Sequence, residues 1–285
     1  MRIFFAGATG AVGRLLLPKL LKAGHTVVAA TRSPEHADRL RAAGAEPILL
    51  DVLDRLAVLM ALHQARSDAV MHQLTDLSAR DFAGNNRLRV EGTRNLVDAA
   101  LVVGVGRMVA QSLYSVYGPG DGPAHEDEPL DLQAPPPRGQ TVDGVQSLEQ
   151  AVARMPVGVA LRYGYFYGPG TWYSRDGLTT EQIRRGEITA TDAEVSFLHV
   201  ADAAEAALQA LNWPAGVFNV ADDEPASGQA WVPLYASLVD APPPPVQPGR
   251  QPWERGVSNA KARGLGWVPA YPTWREGFVQ DLTGY

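Results

Sequence analysis

The chain contains no cysteine, which excludes disulfides, thiol nucleophiles and thiolate metal sites. Lysine is nearly absent too, with Lys19, Lys22 and Lys261 its only three instances. The remaining strong bases are arginines, whose pKa lies too high for ordinary proton transfer. Any mechanism that needs a lysine in the middle of the chain is therefore ruled out. No apolar run reaches the ~18 residues of a membrane span. The net charge of −6 lacks the basic footprint of a nucleic-acid binder. The opening MRIFFAGATG has one charge, then a short apolar run leading directly into glycines. It reads as a first strand and not as a signal peptide. Together these absences point to a cytoplasmic protein with neither membrane nor nucleic acid as partner.

What is present is ordinary for a globular enzyme: 285 residues, 46% hydrophobic and 20% charged. Short apolar runs alternate with helical patterns, as in βαβ units around a parallel sheet. Strands are predicted at Arg2–Ala6, Thr26–Thr31, Pro47–Leu50, Ala69–His72, Arg107–Gln111 and Val157–Leu161. A long helix is predicted over Asn86–Val103, and Ser33-Pro34 gives an N-cap followed by proline at the first helical position. His199–Leu211 reads as an Ala-rich helix and Gly216–Val220 as a strand returning to the main sheet. The proline-rich stretch at residues 241–252 reads as an extended connector.

The segment FAGATGAVG places Gly7, Gly10 and Gly13 directly after a strand and at the opening of a helix. Gly7 would permit the tight turn, Gly10 the approach of backbone to a pyrophosphate, and Gly13 close helix–strand packing. The helix N-terminus supplies free N–H groups and the positive dipole end. Thr9, Ala11 and Val12 complete this candidate dinucleotide loop. Strand two ends in Thr31, Arg32 and Ser33, where an NAD site usually has an acidic residue on the ribose. Arg32 is suited to a charge-assisted fork on a 2′-phosphate, which favours NADP(H) and leaves NAD(H) as the alternative. Asp51, with Val52 beside it, is placed to approach the adenine, or else to cap a helix starting near Leu53. Gln73 and Leu74, after strand four, complete the candidate cofactor contacts.

These residues, with VEGTRNLVDAA (Val90–Ala100), QSLYSVYG (Gln111–Gly118), LRYGYFYGPGT (Leu161–Thr171) and GVFNVADDEP (Gly216–Pro225), resemble the extended short-chain dehydrogenase/reductases, the NAD(P)-dependent epimerase/dehydratase group. The resemblance continues through NAKARGLGWVPAYPTWREGF (Asn259–Phe278). It implies an α/β fold: a Rossmann-type doubly wound parallel sheet with a small C-terminal substrate lobe, and NAD(P) between them. The expected division is residues 1–165, with 192–222 returning to that domain, and a lobe formed mainly by 166–285. The resemblance also implies a cofactor contact at Tyr163, and homodimers are common in this group.

The family's chemistry rests on a Ser or Thr near the end of strand five, followed by Tyr-x-x-x-Lys on the next helix. Aligned through VYG, the serine position is Leu113, with Ser112 just before it. Within GQTVDGVQSLEQAV, the tyrosine and lysine positions hold Thr141 and Val145. Arg89 stands where the family's helix often begins with Asn. Candidates for replacement chemistry are Ser112, Tyr114 and Tyr165, with Asp143 on the altered helix and His125 on a polar loop. Strand alternation would put Tyr163, Tyr165 and Tyr167 on one face. Three readings follow: an oxidoreductase on a small carbonyl or hydroxyl compound with non-standard acid–base residues, an NmrA-like nucleotide sensor, or a non-redox dehydratase, isomerase or cyclase.

Overall fold

A computed structural model describes residues 1–77 and 81–283. Seven strands form the central sheet in the order β10-β6-β5-β4-β1-β2-β3. They are β1 (Arg2–Ala6), β2 (Thr26–Thr31), β3 (Glu46–Leu49), β4 (Ala69–His72), β5 (Arg107–Leu113), β6 (Val157–Tyr163) and β10 (Gly216–Val220). The ladders joining β1 to β2 and β4, β2 to β3, and β4 to β5 are all parallel. Order reverses between β1 and β4, so right-handed crossovers send the helices after these strands to opposite faces of the sheet. The fold is a Rossmann-type doubly wound α/β architecture.

The intervening helices are α1 (Gly13–Lys22), α2 (Pro34–Ala42), α3 (Arg55–Ala65), α4 (Phe82–Arg87), α5 (Thr93–Val102) and α6 (Arg138–Val152). A wider π-type turn, Leu88–Gly92, joins α4 to α5, so the predicted long helix is real but interrupted. Ser33 caps α2, its Oγ accepting from His36 N–H at 3.3 Å. On one sheet face Phe4, Ala6, Val28, Val70 and Met108 pack against Val58, Leu62, Leu96, Val97, Leu148 and Val152 of α3, α5 and α6. Burying each of the larger of these side chains contributes roughly 1.5–3 kcal/mol.

By contact density the chain divides into two compact units. The first comprises residues 1–112, 132–161 and 204–217; the second comprises 113–131, 162–203 and 218–285. The segment inside the first unit is thus narrower than the 192–222 expected from sequence, and the strand-five loop at 113–131 falls in the second.

The second unit holds β7 (Tyr165–Tyr167) paired with β9 (Phe197–His199), and β8 (Glu194–Val195) paired with β11 (Ala226–Ser227). Its helices are α7 (Leu178–Arg184), α9 (Gly228–Leu238), α10 (Ala260–Gly264) and α11 (Trp274–Thr283), while α8 (Val200–Gln209) begins here. The core is aromatic: Tyr167, Phe197, Trp231, Tyr235, Trp274 and Phe278 are buried together. Tyr167 meets Phe278, and Phe197 meets Trp231, edge to face, a preferred geometry for ring quadrupoles. The Asp202 carboxylate accepts from the Ala270 and Tyr271 amides at 2.8 and 2.9 Å, so the HVAD segment ties down this unit's C-terminal portion. No helix among the described residues is long and apolar enough to cross a membrane.

Candidate functional site

The parallel registers bring the ends of β1 to β5 to one carboxyl edge: Ala6 faces Ala30 and His72, and His72 faces Ala110. Residues that follow these strands therefore gather along it. At its centre, Gly7 has φ +101°, and a Cβ there would lie 2.4 Å from the Gln73 carbonyl oxygen. A Cβ on Gly13 would come within 2.0 Å of the Gly7 carbonyl oxygen. Neither position admits a side chain. Thr9 and Gly10 form the exposed tip, closed by the Gly10 N–H on Gly7 O at 3.1 Å. The backbone N–H groups of Thr9, Ala11 and Val12 take no partner among the described residues. The loop therefore presents unused donors at the positive end of α1, whose first turn holds no acid.

The residues around this loop fit a dinucleotide. Gln73 is buried, its backbone N–H donates to Ala6 O, and its side-chain Oε1 has no hydrogen-bond partner among the described residues. A buried acceptor left unpaired is costly unless a ligand satisfies it. The backbone of Leu74 lies against Gly7, so Gly7, Gln73 and Leu74 form one cradle. Thr31 is buried, and its Oγ1 accepts from Ser33 N–H at 3.2 Å. The Arg32 side chain is 65% exposed and reaches Asp76, 3.5 Å away; a pair so open to water is weak and exchangeable. Asp51 is exposed and closes a turn by accepting from Leu53 N–H at 3.0 Å. It does not cap the next helix: Asp54 does, accepting from Leu56 and Ala57, because α3 starts at Arg55, two residues later than expected. Val52 is a core side chain whose carbonyl accepts from Asn95 Nδ2 at 3.0 Å. His72 closes β4 beneath this edge, its ring bonded to Thr93 Oγ1 and accepting from Leu74 N–H. Burial pushes its pKa down to about 4, as a neutral structural imidazole requires.

Farther along the edge stands α6. The helix is intact, with Val142, Gly144, Val145, Leu148 and Val152 buried. Val145 is fully enclosed, while Thr141 is half-buried. Ser112 is buried, and its hydroxyl donates to Glu149 Oε1 at 2.7 Å, fastening β5 to α6. Asp143 is on the exposed side of the helix.

The other candidates belong to the second unit. Tyr114 and Tyr165 meet edge to face, ring centroids 5.1 Å apart. The Tyr114 oxygen accepts from Ser196 N–H at 3.1 Å, and burial holds its pKa well above that of a free phenol. Such a phenol is a poor source of phenolate at neutral pH. Tyr163 is buried and donates to Ala203 O at 3.3 Å. The three tyrosines do not share one strand face. The chain leaves the main sheet at Gly164, and Tyr165 and Tyr167 belong to the β7–β9 pair. His125 is exposed on its loop, where its backbone N–H donates to Glu128 Oε1.

Sequence inspection passed over two features of the first unit. Asp76 as a partner of Arg32 had no local signal. The placement of Arg89 against α6 had one: Gly144, a mid-helix glycine, costs ~1 kcal/mol relative to alanine and so marks a packing reason. A Cβ at Gly144 would lie 2.8 Å from Asn86 Oδ1 and 3.6 Å from Arg89 Cδ.

The profile of the NAD dependent epimerase/dehydratase family matches residues 3–221. The chain belongs to that family. Over 99% of its length, and all of the relative's, it is 42% identical to a 3-diazoavenalumate denitrifying reductase from a Streptomyces species. A 4-hydroxy-2-methyl-3-oxo-4-farnesyl-3,4-dihydroquinoline-1-oxide ketoreductase from Stigmatella aurantiaca is 34% identical over 53% of this chain and 45% of its own. Among solved structures, the UDP-glucose 4-epimerase of Thermus thermophilus complexed with NAD superposes with TM-score 0.78 at 23% identity, covering 99% of this chain and 98% of that one. The UDP-glucose 4-epimerase from Thermotoga maritima with UDP-glucose gives 0.79 at 21% identity, covering 99% and 97%. These two share the fold. The whole-length reductase relative supports an oxidoreductase-like role.

Proposed function

We propose that the protein is an NADPH-dependent reductase that transfers hydride to the diazonium carbon of a carboxylate-bearing compound, releasing dinitrogen. The observation that carries this reading is the emptied proton-transfer site: half-buried Thr141, enclosed Val145, and Ser112 engaged with Glu149. Reduction of a carbonyl develops an alkoxide that must be protonated, which is the work of a positioned acid. A diazonium group makes no such demand. Hydride forms the new C–H bond, the C–N bond breaks, and its electron pair leaves with N2; the carbon is reduced and the nicotinamide oxidised. No proton enters. Loss of a Tyr–Lys pair is thus no handicap for this acceptor, and the name of the whole-length relative describes a reductive denitrification of a diazo acid. The bound dinucleotide would supply the hydride; Gly7–Gly13 would hold its phosphates, Gln73 would accept from it, and Arg32 would take the 2′-phosphate in exchange for Asp76.

The test uses NADPH deuterated at the transferred position and an ortho-diazophenol bearing a carboxylate side chain. Deuterium is expected at the carbon that loses N2, with no solvent isotope effect on the transfer step. Deuterium taken up from heavy water instead, with unlabelled NADPH, would refute direct hydride delivery. Binding of NADPH with no oxidation by the diazo compound would leave a nucleotide-binding role as the better reading.

A further inference from the structure

A cation packed beside the emptied segment of α6 is Arg89, whose Cδ would lie 3.6 Å from a Cβ on Gly144. It lies in the π-type turn Leu88–Gly92 and is half-buried. Its Nη1 donates to Asn86 Oδ1 at 3.2 Å, and no carboxylate among the described residues pairs with it. Asn86 is itself anchored, its Nδ2 donating to the Gln140 carbonyl of α6 at 2.8 Å. Two hydrogen bonds set the height of this group above the sheet. Thr93 meets His72, the last residue of β4; Arg89 is one turn earlier and so lies beyond the carboxyl edge. Glu149 likewise meets Ser112 near the end of β5, which puts Gly144 more than a turn beyond the same edge. Ligands of open α/β sheets bind in that position, near the switch in strand order.

Burial pushes the Arg89 pKa down to about 10, so the guanidinium stays charged at neutral pH while lacking a counter-ion among the described residues. An uncompensated, partly desolvated cation is costly and selects for an anionic ligand. The dinucleotide phosphates are not its natural anion. They belong to the N-terminus of α1, and α1 and α5 occupy opposite sheet faces because their crossovers run in opposite directions from the switch point. The anion left to this face is the substrate's own.

We propose that Arg89, held by Asn86 in the space left by Gly144, binds the carboxylate of the substrate through its planar fork. This inference rests on the reading of a carboxylate-bearing substrate given above, but its test does not require turnover. Calorimetry on the full chain saturated with NADP+ would compare 4-hydroxycinnamate with its uncharged amide. The acid is expected to bind at least tenfold more tightly. Arg89→Met should reduce it to the level of the amide, and Arg89→Lys, which keeps charge without the fork, should recover part of the difference. Affinity for NADP+ should change less than twofold in both variants.

Equal binding of acid and amide by the unaltered protein, or no binding of the acid, would overturn the proposal even if Arg89→Met failed to fold. So would an Arg89→Met variant that loses NADP+ affinity while keeping the preference for acid over amide. Deuteride transfer that proceeds equally fast with the methyl ester of the diazo acid would remove the role of Arg89 and leave the reductase reading standing. Arg89-dependent binding of the acid without any deuteride transfer would remove the reductase reading alone.

Discussion

Gly7–Gly13 and Gln140–Glu149 lie along the same carboxyl edge, and they differ in what they have kept. The loop retains each glycine that its geometry demands, since a Cβ on Gly7 or Gly13 would strike backbone. The helix retains its packing, through Val142, Val145, Leu148 and Val152, but carries neither tyrosine nor lysine. The contrast separates two constraints. Holding a dinucleotide and holding a helix against the sheet are requirements of shape. Supplying a proton is a requirement of one class of acceptor, and it vanishes when the leaving group carries off the electron pair.

The largest expected effect comes from breaking the intact side. Gly13→Val would drive branched carbons into the Gly7 carbonyl and separate α1 from β1; overpacking of this kind costs on the order of 3 kcal/mol. Thermal unfolding should show a marked loss of stability, and calorimetry should show NADPH binding weakened at least tenfold. Retained binding would mean that the loop can move aside.

Next is an attempt to make the two regions alike. Val145→Lys in a Thr141→Tyr background would rebuild the pair, but position 145 is fully enclosed. Burying an ammonium there should cost on the order of 3 kcal/mol, read as a lower denaturation midpoint, with no gain in hydride transfer to a diazonium acceptor. A stable and faster variant would contradict the view that the pair is dispensable.

The smallest effect sharpens the intact side. Arg32→Ala should weaken NADPH by roughly ten- to a hundredfold, the worth of a charge-assisted hydrogen bond, and leave NADH unchanged in parallel titrations. Equal effects on both nucleotides would withdraw the 2′-phosphate assignment.

Much of the central sheet was readable in advance. The strand–glycine–helix order, the Ser33 cap with Pro34 behind it, and the return of Gly216–Val220 to the sheet are local or periodic signals. Chain order carried them. The tyrosine run was misleading for a physical reason: alternation holds only along one continuous strand, and Gly164 marks the crossing from the main sheet to the β7–β9 pair. Asp51 looked like a cap because it precedes a helix, yet Asp54 stands next to the first helical residue and its oxygen reaches the free N–H groups. Arg89 and Gly144 are 55 residues apart in the numbering, so no window of sequence displays their contact.

By itself the sequence determined that strands and helices alternate as in a parallel sheet, that a glycine loop follows the first strand, and that no lysine is available near the middle of the chain. Those follow from periodicity, from the stereochemistry of glycine and from composition, all of which are properties of the chain alone. Tertiary structure decided which groups are free to act. It enclosed Val145, tied Ser112 to Glu149, turned Asp143 outward, and left Arg89 charged without an acidic partner among the described residues. Burial and hydrogen bonding between distant segments set the cost of a charge, and that cost exists only once the segments have met.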